Sequence, residues 1–135
     1  MTKKQWSYSP KKIAKAQVPT AVKQEVMTKA NALVDTVLKP KHVNPPPENP
    51  QFSYIVDIHT KWYGSYFYFY AKYCCPSPNC ITPFFDAGVA RLEYSAPGQF
   101  NLSFMRHTDQ WQEIYTGLSL DDCLTSIKDD PFFIP

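Results

Sequence analysis

The sequence predicts an α+β domain: an N-terminal helix, a five-stranded antiparallel meander and a C-terminal helix. Three observations predict it. Apolar residues recur at spacings of three and four between Val18 and Leu38, alternating aromatic and β-branched runs fill Phe52 to Tyr115, and a capped amphipathic run lies between Ser119 and Pro131. Short turns join the strand runs, which favours strands pairing in chain order with the helices packed on the sheet.

Of the 135 residues 44% are hydrophobic and 19% charged, enough apolar material for one core and too few charges for a disordered chain. No run nears the roughly 18 apolar residues of a membrane span. The opening Met1-Thr2-Lys3-Lys4-Gln5-Trp6 leads into no signal-peptide core. A cytoplasmic protein without a membrane span is expected, with its four Cys reduced.

Residues 1–17 read as a flexible basic arm and residues 18–135 as a single domain. Positions 1–41 carry nine Lys against Glu25 and Asp35, a net +7, and the remainder carries five cations against ten acids, a net −5. In the first helix Val22, Val26, Ala30, Leu33, Val34, Val37 and Leu38 share a face. Pro19 suits its first turn, and Pro40 predicts a stop near Leu38.

The Pro-rich stretch 44–50 reads as a stiff spacer inside the domain. A long hairpin follows, turning at Tyr63-Gly64. Its first arm is expected to turn Phe52, Tyr54, Val56, Ile58, Thr60 and Trp62 to the core. In its second arm Phe67, Phe69, Ala71 and Tyr73 oppose Tyr66, Tyr68, Tyr70 and Lys72. Further strands are expected at about 88–95, 99–107 and 111–115. Ser119 caps a last helix lined by Leu120, Cys123, Leu124 and Ile127, with Asp121 and Asp122 at its positive end. The apolar tail Phe132-Phe133-Ile134 is expected to dock.

No motif specifies a reaction. Glycines stand only at 64, 88, 98 and 117, so a Gly-rich phosphate loop is missing. Cys74, Cys75 and Cys80 share a loop that His107 or Cys123 could complete as a metal or thiol site, but the spacing fits no familiar zinc pattern. A Cys–His nucleophile pair with His59 or His107 has no glycine-rich elbow or following helix to activate it. No cofactor is expected.

The tyrosine side of the second hairpin arm is the most informative feature. Tyr66, Tyr68, Tyr70 and Lys72, with Trp62 and Arg106 near strand ends, form a candidate binding surface. Three uses fit it: cover for the helices and tail, an interface with a second copy or another protein, or a platform stacking single-stranded bases with help from the Lys-rich arm. The sequence favours a non-enzymatic domain acting as a homo-oligomer or protein partner, with nucleic-acid binding as the alternative and a thiol or metal site third.

Residues Ala90-Arg91-Leu92-Glu93-Tyr94, the run Phe104 to Trp111, and Leu120, Leu124, Ile127 and Asp130-Pro131-Phe132 together resemble a family of short bacterial domains of unknown function over about residues 90–133. The resemblance implies a small accessory domain and no particular activity. The aromatic hairpin and the triple-cysteine loop depart from its pattern.

Overall fold

The computed structural model describes residues 17–135, so the arm expected over residues 1–17 lies, but for Gln17, outside the described residues. The rest follows the expected order. Helix α1 (Thr20–Leu33) runs without a break into a π-helical turn (Val34–Leu38) and a last α-helical turn, α2 (Lys39–His42). Strands β1 (Tyr54–Tyr63), β2 (Tyr66–Cys74), β3 (Phe84–Ala96), β4 (Gln99–Met105) and β5 (Trp111–Leu118) form one antiparallel meander in the order β1-β2-β3-β4-β5. Helix α3 (Leu120–Asp129) and a 3₁₀ turn (Pro131–Phe133) close the chain.

The first helix does not stop at Leu38. Proline's ring clashes with the carbonyl four residues back and its nitrogen has no hydrogen to donate, so Pro40 is awkward in an α-helical run. The chain widens ahead of it: the Lys39 N–H donates to the Val34 carbonyl, five residues back, and Val43 N–H closes the last turn on the Lys39 carbonyl at 2.8 Å. Val34 and Leu38 both stay buried across the widened turn.

All three helical pieces and the tail pack on one side of the sheet. Val26, Ala30, Val34 and Leu38 meet Ile58, Phe67, Phe69, Ala71, Leu92 and Leu102 in one core, joined by Leu120, Cys123, Ile127 and Phe133. The tail docks through the buried Phe133, with the Phe132 ring 4.8 Å from that of Phe104, while Phe132 and Ile134 remain exposed, against the expectation for the whole tail. Asp130 fixes it by accepting from Tyr115 OH at 2.7 Å and from Phe132 N–H at 3.3 Å.

The β1 assignment needs correction at its start. Ile55 pairs with Tyr73 and Asp57 with Lys72, so β1 spends one residue more than β2 between these pairs. An extra residue reverses which side chains face inward. Ile55 therefore packs on the core, while Phe52, ahead of the strand, is 81% exposed. From Ile58 onward the expected alternation holds. β3 begins at Phe84, four residues earlier than expected, and β5 runs on to Leu118.

The cysteine expectation also changes. In the proline-broken loop Cys75 N–H donates to the Pro83 carbonyl at 2.8 Å and Cys80 N–H to the Ser77 carbonyl at 3.2 Å. This fold-back brings Cys75 and Cys80 together as a disulfide, their Cα atoms 6.4 Å apart. Cys74 and Cys123 are free thiols.

Candidate interaction surface

With every described helix on one side, the other side of the sheet carries no second layer among the described residues. The cover that the sequence allowed for the tyrosines is supplied to the opposite face instead. Residues directly opposed in an antiparallel ladder share a face, so the ladders define this one. One row crosses all five strands: Lys61 pairs with Tyr68, Tyr68 with Arg91, Arg91 with Ser103 and Ser103 with Glu113. A second row places Lys72 between Asp57 and Asp86.

The rings form a continuous ladder along and across the strands. Tyr68 and Tyr70 stack with centroids 5.5 Å apart and planes 17° from parallel, His59 stacks on Tyr70 at 5.5 Å, and Tyr66 adjoins Tyr68 at 6.2 Å. From β5 the Trp111 indole reaches back to Tyr68, 5.7 Å away. Arg91 lies between two rings, its guanidinium carbon 4.6 Å from the Tyr66 centroid and 5.3 Å from that of Trp111. Such contacts suit arginine, whose flat, weakly hydrated cation stacks well. The Arg91 Nε–H is buried and makes no hydrogen bond.

Polar groups ring this centre. His59 Nε2 lies 3.0 Å from Asp86 Oδ1, and Lys72 sits over the Phe84 ring at 4.8 Å. Lys61, Tyr63, Tyr68 and Tyr70 line a shallow depression of about 230 Å³. Burial, then the neighbouring Tyr68 and Asp86, raise the phenol pKa of Tyr70 above its ordinary value, so this ring keeps its proton at neutral pH.

The expected site residues divide. Tyr66, Tyr68, Tyr70 and Lys72 come together on this face. Trp62 lies on the other side, against Phe67 at 5.1 Å, with its Nε1–H donating to the Lys23 carbonyl of α1 at 3.2 Å. Arg106 begins the β4–β5 turn, where its N–H donates to the Gln110 carbonyl, and the exposed His107 lies in the same turn. Cys75 and Cys80 are spent on each other, and among the described residues no three His, Cys, Asp or Glu gather as a metal site. Cys123 is wholly buried, and burial pushes its thiol up to about 12.

Sequence reasoning missed Arg91, Trp111 and Glu113, which only cross-strand register brings to the tyrosines. One signal was available: a lone glycine in a strand, Gly88, marks a close approach, and Trp111 makes it.

A meander with its helices on one side and a ring-rich face on the other, open among the described residues, defines a small α+β domain. The chain belongs to the family described as Domain of unknown function (DUF3024), whose model matches residues 18–135, a longer stretch than residues 90–133. No curated protein and no solved structure matches it. Among the described residues no helix is long and apolar enough to cross a membrane.

Proposed function

We propose that this chain is a non-enzymatic domain that binds a protein surface, a second copy or another chain, through the open face of its sheet. The observation that carries the reading is the composition of that face: Tyr, Trp and Arg at the centre, with charges of both signs around them. These three residue types are enriched at interfaces and dominate their energetics, because rings and a planar cation supply contact area at little entropic cost.

Charge separates this reading from nucleic-acid binding. Lys61, Lys72 and Arg91 face Asp57, Asp86, Glu93 and Glu113, leaving one net negative charge when His59 is neutral. A groove for single strands needs stacking rings together with net positive charge. The rings are there, but the charge runs the other way. The thiol and metal reading has still less support, since Cys75 and Cys80 are paired, Cys123 is buried, and the free, half-buried Cys74 has no His, Cys, Asp or Glu cluster around it among the described residues.

Native mass spectrometry of the full chain beside Tyr68→Ala tests the proposal. Assemblies above the monomer mass that disappear in the variant are expected. Binding of a labelled single-stranded oligonucleotide at low salt, falling steeply as salt rises, would overturn it.

A further inference from the structure

We propose that the occupant of the open face is a second copy of this chain, docked face to face about a two-fold axis running along β3. This rests on the reading of the face as a protein interface and names its partner.

The row across the sheet carries the argument. In strand order it reads Lys61, Tyr68, Arg91, Ser103, Glu113, with a cation at the β1 end and a carboxylate at the β5 end. A two-fold axis along the central strand exchanges the two halves of the sheet, so β1 of one protomer lies over β5 of its partner. Lys61 then meets the partner's Glu113, and symmetry repeats the pair at the other edge. Tyr68 comes over β4 of the partner, where Ser103 is already buried within its own protomer and presents no charge. Arg91 falls on the axis beside its own copy, with Glu93 two residues along the same face of β3 to offset the paired cations. Read backwards the row is complementary in charge at both ends, a property that binding a different protein would not require.

The area is adequate. Five strands about 4.8 Å apart and about eight residues of about 3.3 Å each give a face of roughly 600 Å². Two such faces bury about 1,200 Å², the lower edge of specific interfaces. A reversible dimer of moderate affinity is the expected form.

Sedimentation equilibrium of the full chain, with Lys61→Glu, Glu113→Lys and the double variant, tests the proposal. Both side chains are exposed, so folding should survive each change. The wild type is expected to show a monomer–dimer equilibrium. Each single variant sets like charges together at two places and should weaken the dimer about tenfold. The double variant restores both pairs with charges exchanged and should recover the wild-type Kd. A dimer lost in Tyr68→Ala but not recovered by the double variant would overturn the axis. A monomer at every concentration, with Tyr68 and Tyr70 open to radical footprinting, would overturn the second copy while leaving an interface with another protein standing. The same monomer with both tyrosines protected would put residues 1–16 on the face and overturn it too. A dimer indifferent to Tyr68→Ala would overturn both this proposal and the reading it rests on.

Discussion

The Trp111 indole rests on Gly88: a Cβ added to that glycine would fall 2.8 Å from Cη2 and Cζ2 of the ring and 3.0 Å from Met105 Cε. Trp111 stands on β5 and Gly88 on β3, so the ring lies across β4 to reach Tyr68 and Arg91. A side chain two strands away thus depends on the absence of one methyl group.

Gly88→Ala should therefore lift the indole off the sheet. Overpacking of this kind costs about 1–3 kcal/mol, read as a lower urea midpoint. The Trp111 indole N–H resonance should move with it. An unchanged midpoint and resonance would mean that the ring does not lie on the glycine.

Trp62→Phe separates the two sides of the sheet. The change deletes the hydrogen bond to the Lys23 carbonyl and part of the packing under α1. A loss of about 1–2 kcal/mol is expected, with self-association unchanged once the folded fraction is equal. Weaker association without loss of stability would move Trp62 to the interface.

Alkaline pH should destabilise the fold through Cys123. Burial favours the neutral thiol, raising its pKa from 9.0 in the unfolded chain to about 12 in the folded one. The folded state then holds the proton more tightly, so stability is fully present below about 9 and falls as pH rises from 9 to 12. Burial raises Tyr73 in the same direction. Chemical unfolding across this range should show a shallower decline for Cys123→Ala than for the wild type. Parallel curves for the two proteins would show that this thiol does not titrate with folding.

Ser119→Ala removes the cap of α3, whose hydroxyl accepts from Asp122 N–H at 3.1 Å. The expected cost is about 1 kcal/mol, recovered by Ser119→Asn, whose side chain can accept the same bond. Equal melting temperatures for all three proteins would refute the cap.

Strict period-two patterning made β2 legible: Phe67, Phe69 and Ala71 are buried and the tyrosines oppose them, as the alternation requires. The cap and apolar face of α3 were equally plain, being local signals. What the sequence hid depended on registers between strands. The extra residue near Val56 reverses the inward side of β1, and no residue type announces it. The π turn before Pro40 exchanges one hydrogen-bonding register for another, a choice made by packing Val34 and Leu38 on the sheet. Arg91 and Trp111 lie twenty residues apart and meet only because β4 doubles the chain back between their strands.

The irregular registers bear on the two outer strands of the sheet, β1 and β5. An outermost strand with regular, unpaired N–H and C=O groups is a template on which further chains can add and grow into fibres. Here β1 carries an extra residue between Ile55 and Asp57, and β5 uses three residues from Leu118 to Tyr115 against two on β4, then two against one down to Glu113. Such irregularities bend and twist an edge away from the flat ladder that an incoming strand needs. Growth of the sheet by addition of further strands at β1 or β5 is thereby discouraged.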